Sequence, residues 1–597
     1  MHKDPTQYLK QYFGYDSFRT GQRELVDGIL AGRDVLGIMP TGAGKSVCYQ
    51  LPAAMLEGVT LVLSPLISLM KDQVDALNQL GIPTVALNSS LTPKEYGERI
   101  REIRQGRCKI VYAAPERLES EAFLELVREL RIPLVAVDEA HCISQWGHDF
   151  RPSYLSIRRL ISRIEPRPVV AAFTATATDK VKEDIAKHLD LRDPVRVMTG
   201  YRRPNLAFSV VKGADKRRFL ADFIRARSGS AGIVYTSTRK EAEACHQFLL
   251  KQGIRAGRYH AGLSEEERAS GQERFLYDDL QVMVATNAFG MGIDKSNVRF
   301  VVHYNLPKNV ESYYQEAGRA GRDGEPGECA LLYAPQDVMT QKYLIEQSEA
   351  DDARKQIEYA NLRKMVDYCH TSDCLQNYIV RYFGGREEEP CGLCLNCRDD
   401  RERVEMTTEA LQIFSCVARM RQRFGIALTA KVLRGSADAK VRRLGFDRLS
   451  TYGVMSRYKE NDIVQLIQAL VADGFLNISD GPYPVVMLAP RARRVLENGE
   501  KVYRKAFAPA GRPQAAGSDA EEALFERLRR LRKAIADRER VPPFAVFHDA
   551  TLRDMCARMP RTGEELLAVK GVGRAKFDKY GSLFLNEIRQ FAETPEA

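Results

Sequence analysis

Short runs of branched apolar residues alternate with stretches of helical periodicity along the first third of the chain. Asp34-Val-Leu-Gly-Ile-Met39, Thr60-Leu-Val-Leu-Ser-Pro-Leu66, Lys109-Ile-Val-Tyr-Ala-Ala-Pro115, Leu134-Val-Ala-Val-Asp138 and Val169-Val-Ala-Ala-Phe-Thr174 are strand-like runs, most ending in a polar or proline-containing turn. Continuous apolar runs mark strands buried on both faces, and their alternation with helices predicts a doubly wound parallel sheet. From about Arg202 a second such unit begins, with strands expected at Gly232–Tyr235, Val282–Ala285 and Phe300–His303. Ligands of open parallel sheets bind at the carboxyl ends of the strands, so polar residues there become candidates for function.

Beyond these units the pattern changes. Residues 407–490 hold several short amphipathic helices, followed by Gly474-Phe-Leu-Asn-Ile478 and Val485-Val-Met-Leu488 flanking the turn Ser479–Pro484. Helices followed by a turn-linked strand pair suit a winged helix, and Arg442 and Arg443 could track duplex phosphates. Between about Phe507 and Ala520 the composition is that of a flexible linker, and a small helical domain follows. There Gly571 and Gly573 could offer backbone N–H groups to a phosphate, with Arg574, Lys576 and Lys579 nearby.

The chain has 597 residues, of which 44% are hydrophobic, enough for several cores and for about four ordinary domains. No run approaches ~20 apolar residues, and Met1-His-Lys-Asp-Pro-Thr6 has no apolar signal core, so a cytoplasmic site is expected. Twelve cysteines, most of them scattered singly, do not suggest a disulfide scaffold. A net charge of +10 favours a polyanionic partner and is equally compatible with simple solubility.

The chemistry concentrates at the strand ends. Met39-Pro-Thr41-Gly42-Ala-Gly44-Lys45-Ser46 links a buried strand to a helix start, which makes a phosphate cradle. Gly42 and Gly44 let backbone N–H groups approach a polyphosphate, Lys45 reaches the β- and γ-phosphates, and Ser46 can ligate Mg²⁺. Met39 stands where the strict P-loop pattern has its first glycine. Upstream, Phe18-Arg19-Thr-Gly-Gln22 offers an amide for the N6 and N7 edge of adenine and a plane for stacking. Asp138 can hold Mg²⁺ and Glu139 can polarise an attacking water. His141 either relays between ATP and a second ligand or hydrogen-bonds across the cleft. Hydroxyls in Thr174-Ala-Thr176-Ala-Thr178 could bond Asp138 and Glu139.

Ser144-Gln-Trp146-Gly-His148-Asp-Phe150-Arg151 lacks any period and contains the single Trp of the chain. Trp146, His148, Phe150 and Arg151 suit stacking on bases and contact with phosphates, a hydrophobic plug being the other reading. The second unit has no P-loop but carries Ala285-Thr-Asn-Ala-Phe-Gly290-Met-Gly292-Ile-Asp294 and Gln315-Glu-Ala-Gly-Arg319-Ala-Gly-Arg322-Asp-Gly324. Arg319 and Arg322 have the pattern of an arginine finger brought in by domain closure, or of a salt-bridged helix face. Cys391, Cys394 and Cys397 at successive C-x₂-C spacing can surround one tetrahedral ion, with a fourth ligand upstream closing a structural zinc site. Spacing leaves that ligand open among Cys369, His370 and Cys374.

In order and spacing, Phe18 to Gln22, Thr41 to Ser46, Asp138 to His141 with its aromatic-rich stretch, and Gln315 to Gly324 resemble the RecQ branch of the superfamily 2 DNA helicases across residues 1–340. Met39 is normal for that branch, and Ala43 replaces a glycine of many relatives. The resemblance implies a multidomain α/β fold: RecA-like lobes over 1–201 and 202–340, a zinc-binding module over 341–400 with Cys374 as fourth ligand, a winged helix over 401–500, a linker over 501–520 and an HRDC domain over 521–597. It implies Mg-ATP held between the lobes by Lys45, Ser46 and Asp138, with Thr41, Gly42, Gly44 and Gln315 around it. Glu139 would activate water, and Arg322 with Arg319 would stabilise the transferring charge. It further implies 3′-to-5′ movement on single-stranded DNA and unwinding of duplex or branched DNA in repair, recombination and replication, in the cytoplasm or at a bacterial nucleoid. A single-stranded-DNA-binding protein is the protein partner such a motor suggests. An RNA helicase, and a DNA-binding or annealing scaffold with a merely regulatory ATPase, are the competing readings.

Overall fold

The computed structural model describes residues 4–88, 91–147, 149–290, 295–386, 388–399, 403–479, 484–505 and 519–593. His148, residues 291–294 of the second-lobe motif, residues 480–483 of the expected wing turn and most of the expected linker lie outside them.

Seven parallel strands form the first sheet, in the spatial order Thr84–Leu87, Ile110–Ala113, Thr60–Leu63, Leu134–Val137, Val169–Thr174, Val35–Ile38 and Val195–Met198. The four strands Ile110–Ala113, Thr60–Leu63, Leu134–Val137 and Val35–Ile38 are buried at every position, which is why their sequences are apolar without alternation. Six parallel strands form the second sheet, in the order Ala256–Tyr259, Val282–Ala285, Ala231–Tyr235, Val298–His303, Gly327–Tyr333 and Leu206–Lys212. The chain leaves the first sheet at Met198 and enters the second at Leu206.

Helices Asp352–His370 and Leu375–Tyr382 join a large apolar cluster shared with both lobes. Phe383, just after the second helix, stacks on Tyr201 at 4.6 Å between centroids and tilts against Tyr314 at 5.5 Å, so this module ties the lobes together. Residues from Ala410 to Val502 have a separate core, built on helices Thr407–Arg419, Ile426–Arg434 and Glu460–Ala472 and the antiparallel pair Leu476–Ile478 with Val486–Leu488. The five helices from Asp519 to Glu593 enclose another core. Among the described residues no helix is long and apolar enough to cross a membrane.

Candidate active site between the lobes

The loop after Ile38 turns on Gly42 and Gly44, whose φ angles of 85° and 81° lie in the left-handed region that glycine adopts without strain. A Cβ on Gly44 would stand 2.5 Å from Gln22 Nε2, and one on Gly42 would stand 3.3 Å from the backbone of Arg322. The loop is thus pressed between helix Gln22–Leu30 of its own lobe and the second lobe. Gln22 Nε2 donates to the carbonyls of Ala43 at 3.1 Å and Gly44 at 3.0 Å, and its Oε1 accepts from the Arg19 N–H at 2.8 Å. The Arg19 guanidinium donates to the Gly42 carbonyl. The amide assigned to the adenine edge therefore holds the phosphate loop in this conformation.

Phe18, Arg19, Gln22, Thr41, Gly42, Gly44, Lys45 and Ser46 line one cleft of about 400 Å³ with Asp138, Glu139, Gln315, Arg319 and Arg322. Lys45 Nζ donates to the Met39 carbonyl at 3.1 Å; desolvation lowers its pKa against the pull of Glu139 and Asp138. Burial, and then Glu139, push the Asp138 carboxyl up to about 7, with Lys45 opposing. Asp138 and Ser46 bring a carboxylate and a hydroxyl to the same cleft as the phosphate loop. A hard divalent cation held by Ser46 and Asp138 fits that donor set.

Glu139 has a φ of 46°, a left-handed conformation unusual outside glycine. Its Oε2 lies 3.2 Å from His141 Nδ1, and that nitrogen lies 2.9 Å from Thr174 Oγ1. Thr174 Oγ1 donates to the Thr176 carbonyl, and the Thr176 hydroxyl accepts from Gln315 Nε2 of the second lobe at 3.1 Å. Of the threonines expected to bond the carboxylates, Thr174 and Thr176 bond His141 and Gln315 instead. His141 stands within a hydrogen-bonded path that crosses the cleft. Two buried donors of Arg319, Nε and Nη1, have no hydrogen-bond partner among the described residues.

Sequence reasoning passed over Arg203. Its guanidinium donates to the carbonyls of Thr41 at 2.6 Å and Gly318 at 3.3 Å from one nitrogen, and of Ala320 and Gly321 at 3.1 Å each from the other. It joins the phosphate loop to the turn that carries Arg319 and Arg322. Burial lowers its pKa. Gln376 of the cysteine-bearing module brackets Arg203, accepting from its N–H and donating to its carbonyl at 3.0 Å each. The signal in the sequence is slight: an Arg-Arg-Pro between the two units.

The aromatic stretch follows directly. Trp146 is 41% exposed, with Lys180 Nζ 3.0 Å from its ring centroid. Phe150 is half-buried. Arg151 donates to the Pro65 carbonyl at 2.9 Å and to Asp149 at 3.2 Å. Exposure of Trp146 argues against a buried plug at that position.

Sγ atoms of Cys374, Cys391, Cys394 and Cys397 lie within 4.8 Å of one another. Tetrahedral Zn–S bonds of about 2.3 Å need sulfurs that close. Backbone N–H groups of Cys391, Leu375 and Cys394 point at Cys374, Cys394 and Cys391 sulfurs at 3.3–3.4 Å, which favours thiolates. A hydrogen bond between the two lowers Cys374 and raises Cys394. His370, an open alternative from spacing, instead contacts Lys212 Nζ through Nδ1 at 3.1 Å and the edge of Tyr333.

Arg442 and Arg443 are exposed on the short helix Ala439–Arg443. In the last domain, His548, Thr551, Lys570 and Gly571 line the nucleotide cleft itself. His548 Nδ1 is 2.8 Å from Ser296 Oγ, and Lys533 pairs with Asp279 at 2.9 Å. Around Gly571 and Gly573, where a phosphate contact is expected, the structure shows close packing and paired lysines. A Cβ on Gly571 would meet Thr551 at 2.4 Å, so close packing demands that glycine, and one on Gly573 would stand 3.3 Å from Gly14. Lys576 donates to the Ala545 carbonyl at 2.7 Å, its pKa brought down to about 8 by burial, and Lys579 pairs with Glu539 at 2.6 Å. Arg574, by contrast, is exposed beside Asp578 at 3.3 Å.

Two parallel-sheet lobes closing on a phosphate loop, with arginines supplied by the second lobe, define a helicase-class nucleotide motor. Family models match in succession: DEAD/DEAH box helicase over residues 19–185, helicase conserved C-terminal domain over 215–324, RecQ zinc-binding over 335–398, RQC domain over 400–510 and HRDC domain over 521–588. The chain is 50% identical over 585 residues to a protein named ATP-dependent DNA helicase RecQ in Bacillus subtilis, covering 98% of each. It is 40% identical to the protein of the same name in Pasteurella multocida, covering 98% of this chain and 93% of the relative. This chain belongs to the RecQ family of helicases.

Proposed function

We propose that the chain is an ATP-driven motor that moves 3′ to 5′ on single-stranded DNA and unwinds duplex or branched DNA in repair, recombination and replication. The observation that carries this reading is one cleft in which Lys45, Asp138 and Glu139 of the first lobe face Arg319 and Arg322 of the second. Hydrolysis then depends on lobe closure, and closure is the mechanical step.

In this reading Thr41, Gly42, Gly44 and Lys45 cradle the polyphosphate, Phe18 stacks near the base, and Arg19 and Gln22 hold the loop to it. Ser46 and Asp138 would hold Mg²⁺, which would supply neutralising charge for the phosphates. Glu139, oriented by His141, takes the proton of the attacking water. Arg319 and Arg322 stabilise charge on the transferring phosphoryl group, and Gln315 links closure to His141 through Thr176. Trp146, His148, Phe150 and Arg151 contact single-stranded DNA, while Arg442 and Arg443 face duplex phosphates. The Cys₄ module, RQC domain and HRDC domain together favour DNA over RNA. The chain would work in the cytoplasm, at the nucleoid in a bacterium, on DNA covered by a single-stranded-DNA-binding protein.

Strand separation with ATP, on duplexes bearing a 3′ or a 5′ single-stranded tail, tests this function. Unwinding of the 3′-tailed duplex alone supports it; unwinding of neither, with DNA still bound, favours the annealing scaffold.

A further inference from the structure

Helix Asp352–His370 touches two regions that have different ligands in the proposed function. Near its carboxyl half, Arg363 donates to the Ile478 carbonyl of the winged-helix strand at 2.5 Å, and Ser372, just beyond the helix, meets Asp473 at 3.1 Å. At its first turn, Arg354 reaches the aromatic stretch of the first lobe. Its guanidinium donates to the carbonyl of Gln145 and, at 3.0 Å, to that of Gly147, the two residues that flank Trp146. Nine residues separate the arginines, about 14 Å of helix axis, and place them on opposite faces.

What Arg354 holds is a tight turn that begins at Glu139. The Cys142 N–H donates to the Glu139 carbonyl at 2.9 Å, the Ser144 N–H to His141 at 3.2 Å and the Gly147 N–H to Ser144 at 2.9 Å. A Cβ on Gly147 would stand 2.6 Å from the His141 carbonyl, so the turn is pressed onto the histidine that orients Glu139. Meanwhile Lys180 covers one face of the Trp146 ring, a face on which a base would otherwise stack. The held conformation is therefore one with no base on that face.

We propose that Arg354 is a positioning residue whose guanidinium latches the base-free aromatic loop to the zinc-module helix, and that opening this latch is what lets DNA raise ATP turnover. The proposal rests on the helicase reading. A planar fork suits the role, since it engages two carbonyls at once and a lysine ammonium does not hold that geometry. Because the same helix bears on the winged-helix strand, seating of duplex there has a direct route to the loop.

The test uses the full chain with zinc bound, as Arg354→Ala and Arg354→Lys, and reads ATP turnover with and without oligo-dT. It also reads acrylamide quenching of Trp146, the one Trp in the sequence. Arg354→Ala should raise DNA-free turnover about five-fold or more, leave DNA-saturated turnover within about two-fold, and increase quenching without DNA. Arg354→Lys should move DNA-free turnover and quenching in the same direction by less, and it serves if the alanine variant does not fold. Unchanged or lower DNA-free turnover together with unchanged quenching would overturn the latch. Quenching needs no turnover, so wild-type ATPase indifferent to DNA would sink the helicase reading while quenching still decides the latch.

Discussion

Arg203 shows what one buried guanidinium can do where carbonyls, not carboxylates, face it. Four carbonyl oxygens from two lobes converge on its terminal nitrogens, so removing it leaves several buried acceptors unpaired at the phosphate loop. Arg203→Ala should lower DNA-saturated ATP turnover by about ten-fold or more, since a hydrogen bond to a charged group contributes ~1.5–3 kcal/mol. Binding of single-stranded DNA, followed by fluorescence anisotropy, should stay near wild type. Turnover within about two-fold of wild type would show that the lobes align without it. Its neighbours differ in how legible they are. Lys45, Asp138 and Glu139 announce themselves because each sits at a strand end in a short motif. Arg203 lies in a connection, and its partners come from residues 41 and 318–321, which no local pattern brings together. Gln22 was legible as a polar residue beside the site, but its bonds to the loop required the turn geometry of Gly44.

At the scale of elements, the four-cysteine cluster fixes the start of helix Leu375–Tyr382, and that helix carries Gln376 to Arg203 and leads to Phe383 between the lobes. Closed Cys₄ sites contribute folding energy directly, so zinc removal should loosen this helix before it affects the sheets. Chelation, or Cys397→Ser, should lower the thermal midpoint, open residues 371–400 to protease and weaken DNA-stimulated turnover. An unchanged midpoint in protein shown to be zinc-free would contradict a structural role. Strands such as Ile110–Ala113, Leu134–Val137 and Val282–Ala285 were readable because burial on both faces makes them apolar throughout. Val195–Met198, Leu206–Lys212 and Ala256–Tyr259 were not, since each mixes buried with half-buried or exposed positions and carries a charged residue, such as Arg196 or Arg258. The pairing of Arg403–Glu405 with Tyr503–Lys505 joins segments a hundred residues apart and leaves no mark on either.

For the whole molecule, the least legible feature is the position of the HRDC domain. The composition of the segment before it suggested a flexible tether. Instead, Arg529 bonds the Gly229 carbonyl at 2.8 Å, Arg553 pairs with Glu325 at 3.4 Å, and Gly573 packs on Gly14, which puts the domain across the mouth of the nucleotide cleft. Such contacts depend on surfaces that exist only after each domain has folded. The central claim, however, concerns the two lobes: that DNA contact around Trp146 controls hydrolysis at Lys45, Asp138 and Glu139. Steady-state ATPase of the intact chain, Lys45→Ala and Trp146→Ala, each with and without single-stranded DNA, measures that coupling most directly. The account predicts strong stimulation of the intact chain, no turnover for Lys45→Ala, and for Trp146→Ala a basal rate near wild type with most of the stimulation gone. Turnover of the intact chain that ignores DNA, or stimulation that survives Trp146→Ala in full, would contradict it.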